Sequence, residues 1–317
     1  MKSVFPGWIK GRAAPGWLAV ELDEAAVALA HVRPVGARMT VEFAEEREWD
    51  PAEPKSLERV AREFGAQRFR CTTLLAPAHY QILLVDAPAV KREELKPALR
   101  WRIKDMIDYH VDDATLDVLD LPLPPGPGAR TPQMYAIAAR TSVIRGTIER
   151  LENAGIPLSV IDIPDTAQRN LAAHYEAPER GVVALTFDRH GGLITVNFSG
   201  ELYLTRRLDI TEAQLADAEP GEYARLAERV LVEMQRSFDH CERSFPFFSL
   251  SRAVVGPIAG DTSLREHLAS HLYLPVEPLE LGEVVDLPAE AAAWSDEQSA
   301  RWLKRIGAGM RVEKRAL

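Results

Sequence analysis

Twice along this chain three short β-rich stretches are followed by a helix and then by a strand. That repeated order limits the possible folds more than any single motif does. In the first copy, residues 17–22, 27–32 and 39–43 are separated by an Asp23-Glu24-Ala25 turn and a Pro34/Gly36 break, and they read as a three-stranded meander. A helix over 56–64 follows, with Leu57, Val60, Ala61 and Phe64 on one face and Gly65 as its stop. Residues 70–75 then read as a buried strand. In the second copy, 182–187, 193–198 and 202–208 form the meander, with turns at His190-Gly191-Gly192 and Ser199-Gly200. A long helix over 222–242 carries Leu226, Val230, Met234 and Phe238 on one face, and a strand starts at 253–255.

Between the copies lies an extra β-α-β module. It comprises a strand at 81–86, a helix with Leu95, Leu99, Ile103, Met106 and Ile107 at helical spacing, and a strand at 134–139. Pro97 falls in the first turns of that helix, where proline costs least. An acidic, apolar run at 114–121 precedes a surface loop at 122–132 that holds five prolines and two glycines. The first copy closes with a helix over 142–154, a strand over 158–163 and a helix opening at Asp165. The final helix opens with Ser295 and Gln298 at capping-box spacing.

A chain of 317 residues is long enough for two domains. With 46% apolar and 27% charged residues it can bury a sizeable core. The net charge of -9 argues against nucleic acid, because phosphate neutralisation needs a basic surface. Cys71 and Cys241 share no ligand pattern, so neither a disulfide framework nor a zinc knuckle is expected. There is no signal-peptide pattern and no apolar run long enough to span a bilayer, so a cytosolic protein is expected. Both ends are basic: Lys2, Lys10 and Arg12 at one, and Arg301, Lys304, Arg305, Arg311, Lys314 and Arg315 at the other. They read either as solvated charge or as surfaces facing anionic lipid. Phe5, Trp8, Ile9 and Trp17 read as core residues or as a docking edge.

The sequence lacks the phosphate-binding glycine loops and the serine nucleophile elbow that mark common enzymes. His267 and His271 sit four apart on a helix, but the glutamate a zinc site would place beside the first is Leu268, so they read as surface histidines. His240 and Cys241 are adjacent and face different ways. Phe245, Phe247 and Phe248 read as core. No catalytic residue and no metal ligand is assigned.

Several strings, in order, support a family resemblance. They are 17–27 (WLAVELDEAAV), 83–88 (LLVDAP) with Glu93, Glu94 and Trp101, 151–157 (LENAGIP) with Val160-Ile161-Asp162, 202–206 (LYLTR) and 306–311 (IGAGMR). Together with the duplicated meander they resemble the PilM family of type IV pilus assembly proteins, and especially its MshI branch from MSHA-type pili. The resemblance covers nearly the whole chain. It implies an α/β fold of two ribonuclease-H-like domains of the actin/Hsp70 type, with a small subdomain inserted in the first. The implied division is 17–178 for the first domain, with 77–141 inserted, 179–311 for the second, and basic tails at 1–16 and 312–317.

It also implies a nucleotide cleft, whose loops in this chain are degenerate. Asp23 and Glu24, with Ala25, Ala26 and Ala28, stand where small hydroxyl residues and a lysine would surround phosphates. The second loop reads Thr186-Phe187-Asp188 before Gly191 and Gly192, and the adenosine loop reads from Gly256 through Pro257 to Gly260. Like charges within ~4 Å repel by about 4 kcal/mol at an effective dielectric of 20, so Asp23 and Glu24 would oppose a polyphosphate unless a metal intervened.

The expectation is therefore a non-enzymatic scaffold with no cofactor. It would bind the short cytosolic tail of a PilN-like or MshJ-like inner-membrane protein and be peripheral to that membrane, with homo-oligomers possible. The resemblance places the tail between the meander at 27–32 and the module at 81–139. One alternative is an actin-like switch binding ATP with magnesium. The other is a GspL-like cytosolic domain of type II secretion, which would normally continue into a membrane helix.

Overall fold

The structure, a computed structural model, describes residues 14–53, 55–123, 132–260 and 263–312. β1 (Trp17–Leu22), β2 (Ala26–Val35) and β3 (Arg38–Glu48) form the first meander. α1 (Ser56–Glu63) buries Leu57, Val60 and Ala61 and ends at Gly65, whose φ of 60° suits glycine. β4 (Arg70–Leu74) then pairs parallel with β1.

The inserted module contains β5 (Tyr80–Asp86), α2 (Leu95–Ile103), β6 (Ala114–Asp120) and β7 (Gln133–Arg140). It therefore has one strand more than expected. In the run read only as acidic and apolar, Ala114 and Leu116 point into the module's core while Asp117 faces solvent, which is half-buried strand alternation. α2 is also shorter than its apolar spacing suggested. The Met106 amide bonds three residues back to the Ile103 carbonyl, Asp105 and Asp108 disfavour continuation, and Met106 is left exposed. Most of the proline-rich loop, 124–131, lies outside the described residues, as do Phe5, Trp8 and Ile9.

α3 (Thr141–Asn153), β8 (Leu158–Asp162) and α4 (Pro164–Ala172) complete the first copy. The second begins with β9 (Arg180–Asp188), β10 (Gly191–Phe198) and β11 (Glu201–Leu208). It continues with α5 (Glu212–Ala216), α6 (Pro220–Ser244), β12 (Ser249–Val255), α7 (Ser263–His271) and β13 (Val276–Pro278). α8 (Leu281–Val284), β14 (Val285–Asp286) and α9 (Asp296–Gly309) end the described chain.

Three sheets result, ordered β14-β3-β2-β1-β4-β8, β11-β10-β9-β12-β13 and β5-β7-β6. The chain does not finish on the second sheet. β14 pairs parallel with β3, and α9 crosses α4 between the two large sheets. One core cluster accordingly combines Val32 and Ala30 of the first sheet, Val182 and Val254 of the second, Leu171 of α4 and Ile306 of α9. The crossing is close: a Cβ at Gly307 would lie 2.4 Å from the Ala167 carbonyl oxygen. Asn170 of α4 donates to the Gly307 carbonyl at 2.9 Å.

Trp17 is buried, with the Arg70 and Arg311 guanidiniums over its ring, which excludes it from a docking edge. The phenylalanine cluster is core: Phe248 stacks on Phe198 with centroids 4.4 Å apart. Residues 27–32 are buried too, since β2 lies inside the sheet, so they offer no surface to a partner.

Candidate functional site

The two large sheets meet at a cleft of about 450 Å³. Its floor is the end of β1, its sides are the β9–β10 turn and the β4 exit, and α9 forms its roof. α9 is started firmly: Ser295 accepts from the Gln298 amide while Gln298 accepts from the Ser295 amide. Trp302, Leu303 and Ile306 bind the helix to the core, and the neighbouring turns point Arg301, Lys304 and Arg305 into the cleft. Lys304 and Arg305 are only 8% and 7% exposed, so their charges need partners.

The partners are carboxylates from both halves. The Arg305 Nε donates to Glu21 at 2.8 Å, and its Nη1 lies 3.6 Å from Glu46. The Lys304 ammonium sits 2.5 Å from Asp188. Arg189 bonds Asp23 and lies 3.5 Å from Glu21, while Arg301 pairs with Glu297 at 2.9 Å. Six carboxylates and four permanent cations line the cleft, and every one of those cations is ion-paired. Burial pushes the Asp188 carboxyl up, but Lys304 and the His190 amide outweigh it and hold the group below its ordinary value. Burial holds Glu212 above the usual carboxylate range, although it accepts from the Ala259 amide.

The structure brings Asp23 and Asp188 into this cleft and separates the other sequence candidates. Glu24 is exposed and lines a different hollow beside Trp49. Gly191 and Gly192 form no loop. They open β10, with Gly191 paired to Asp188 and Gly192 to Phe187. A Cβ on Gly191 would lie 2.4 Å from the Leu208 carbonyl oxygen, and one on Gly192 would lie 2.7 Å from the Phe187 ring. Protein packing accounts for both glycines. Gly256 lies against Thr186 and lines a separate cavity of about 100 Å³ with Pro257, and Gly260 has φ 67° in the turn beyond.

The sequence reading also missed the cleft's cations. Arg301, Lys304 and Arg305 were grouped with a basic end, yet they point inward, and Arg311 pairs with Asp162 at 2.8 Å. Their spacing of three and four residues in one amphipathic helix was the available signal.

A second polar cluster fixes the inserted module. Fully buried Asp165 accepts from Tyr80 of β5, from Thr205 of β11 and, at 2.8 Å, from Arg207 of β11. Nearby, Tyr135 donates to the Tyr203 carbonyl at 3.0 Å. The His267 and His271 rings lie 4.5 Å apart, and no cluster of three potential metal ligands occurs among the described residues.

No protein-family model matches the sequence, and no curated protein matches it significantly. Solved structures do. The chain is similar to the PilM-PilN type IV pilus biogenesis complex, with TM-score 0.71 and 18% identity over 93% of this chain and 98% of that one. An actin-like ATPase-fold protein from Bacteroides thetaiotaomicron gives TM-score 0.49 at 11% identity, covering 88% and 96% of the two chains. The cytoplasmic domain of EpsL, an inner-membrane component of the Vibrio cholerae type II secretion system, gives TM-score 0.40 at 16% identity over 60% and 71%. The fold is thus the mixed α/β fold of the chain matched in the PilM-PilN complex.

Proposed function

We propose that this chain is a cytoplasmic scaffold of a type IV pilus assembly platform. It would hold the short cytosolic tail of a PilN-like inner-membrane protein and be peripheral to that membrane through this partner. The observation that carries the reading is the match to a PilM-PilN complex across nearly the whole chain, at a level that includes the inserted module. The more specific assignment, an MSHA-type pilus with an MshJ-like partner, rests on the sequence resemblance. The module at 81–139 is the candidate dock. Its edge strand β5 presents Ile82, Leu83 and Leu84 half-buried, and the Gln81 side-chain oxygen is buried without a partner. No described helix is long and apolar enough to cross a membrane.

The cleft, on this reading, holds no nucleotide and performs no catalysis. What supports this is its charge. A triphosphate without a metal would have to take Lys304 from Asp188 and Arg189 from Asp23, placing phosphates beside two released carboxylates. Gly191 and Gly192, the glycines of the implied second loop, are closed off by Leu208 and Phe187. The residues present do not fit a polyphosphate that brings no metal with it.

The test is calorimetry on the intact chain, titrated separately with a synthetic N-terminal cytosolic tail of a PilN-like inner-membrane protein and with magnesium-ATP. Micromolar heat from the peptide and none from ATP is the expected pair of results. Heat from ATP with silence from the peptide would replace the scaffold by an actin-like switch.

A further inference from the structure

We propose that the contact between α6 and α7 holds a divalent transition-metal ion of the zinc class, with His267 and His271 as ligands and Glu228 as the carboxylate that closes the site. The core fixes the two helices: Leu264 and Leu268 of α7 and Ala227, Val230 and Leu231 of α6 are buried in one cluster. His267 and His271, four apart on α7, stand together with ring centroids 4.5 Å apart. Glu228 reaches them from α6, its Oε2 lying 3.8 Å from His267 Nε2.

Two observations point to an ion. The His267 Nε2 atom is buried and has no hydrogen-bond partner among the described residues. A ring nitrogen taken out of water and left unpaired is costly, and coordination to a cation relieves that cost. The other ring has the tautomer that a metal needs. His271 Nδ1 lies 2.8 Å from the His267 carbonyl oxygen, which can only accept, so Nδ1 carries the proton and Nε2 the lone pair. Ser270 Oγ, 2.9 Å from the same nitrogen, donates to the same carbonyl and leaves that assignment unchanged. A carbonyl accepting from the far nitrogen is also what orients metal-bound histidines in general.

The donor set selects the ion. Two imidazoles and a carboxylate suit zinc or copper(II), whereas magnesium and calcium take oxygen donors. Donors about 2.1 Å from a tetrahedral ion stand about 3.4 Å apart. The 3.8 Å between His267 and Glu228 is slightly longer, so the three groups are not a closed cluster until the Glu228 side chain, 61% exposed, moves in. Water completes the coordination. Leu268, where a zinc protease places its glutamate, removes the general base and not the ligands. The ion therefore ties α7 to α6 without hydrolytic chemistry.

Calorimetry of the intact, untagged chain, stripped of metal by dialysis, should show one zinc ion bound with a Kd of about 1 to 10 μM, and no heat from magnesium over the same range. His267→Gln and His271→Gln should each weaken binding at least about tenfold, with far-UV circular dichroism unchanged in the exposed His271→Gln. Glu228→Gln should weaken it about three- to tenfold. Zinc at about 100 times Kd should raise the wild-type Tm by about 4 °C and leave that of the double histidine variant unmoved. A wild-type chain that binds zinc no tighter than about 100 μM would overturn the proposal, as would binding that survives both histidine substitutions. So would zinc affinity indifferent to Glu228→Gln, because the ion would then sit on α7 alone, as on any exposed histidine pair.

Discussion

Arg207, on the edge strand of the second sheet, reaches the fully buried carboxylate of Asp165 in the first turn of α4 at 2.8 Å. Tyr80 of the inserted module hydrogen-bonds to both, so three parts of the molecule meet at one carboxylate. The helix N-terminus favours the negative charge, but burial makes it costly without the guanidinium. Arg207→Met should therefore lower the free energy of unfolding by about 3 kcal/mol, read from urea midpoints. Replacing both partners, as Asp165→Leu with Arg207→Met, should cost less than the sum of the single changes, because no orphan charge remains.

The cleft makes a prediction of opposite signs on either side of one substitution. In the wild type, Lys304 holds the Asp188 carboxyl below its ordinary value against the upward push of burial. A carboxyl depressed in the folded state stabilises above its unfolded pKa of about 3.9, and that contribution disappears as pH falls through the lower folded value. In Lys304→Met burial prevails and the folded value moves above the unfolded one. Asp188 then destabilises at neutral pH, and the penalty is relieved on acidification. Carboxyl titration followed by carbon NMR should show Asp188 protonating at a higher pH in the variant. A resonance that titrates identically in both proteins would refute the coupling.

Much of the fold was legible because local signals agreed with tertiary demands. β1 matched its sequence limits, and the Ser295/Gln298 capping box started α9 as its spacing indicated. Strand β6 was harder to read because acidic residues interrupt an apolar run, and β14 has only two residues, supported by a partner strand far away in sequence. The cleft was legible only in part. Asp23 and Asp188 were reached through the nucleotide loops that the family resemblance implies, but the counter-ions from α9 were not, since their partners are contributed by β1, β3 and the β9–β10 turn. A basic stretch near a chain end looks the same on paper whether it is solvated or folded back. Only the amphipathic spacing of 301, 304 and 305 with Trp302 and Ile306 distinguishes the two cases.

Two helical glycines should respond to alanine in opposite directions. At Gly307 the new methyl would press on the Ala167 carbonyl at the α4–α9 crossing, and the helices would have to separate. Gly307→Ala should cost about 1–3 kcal/mol as overpacking. Gly146 lies within α3 with open space where a Cβ would project. Gly146→Ala should stabilise by about 0.5–1 kcal/mol through helix propensity alone. Thermal unfolding of both variants beside the parent checks the pair.

Acidification from pH 7.5 to 5.5 should destabilise the protein through its histidines. Burial lowers the pKa of His31, His174, His190 and His240 in the folded chain. His31 shows the cause most clearly: its Nε2 lies 3.0 Å from the Pro15 carbonyl oxygen, donating as the neutral ring, and Phe69 packs against it at 4.5 Å. Below a pH of about 6.5 the unfolded chain takes up protons that the folded chain refuses. Stability is therefore complete above the ordinary histidine range and declines as pH falls through it, well before the carboxylates titrate. Urea midpoints at the two pH values should differ in that direction, and the difference should shrink in His31→Gln, where the amide can still donate to Pro15 but cannot be protonated. A midpoint that rises on acidification would mean that the histidines are held charged, contrary to their burial.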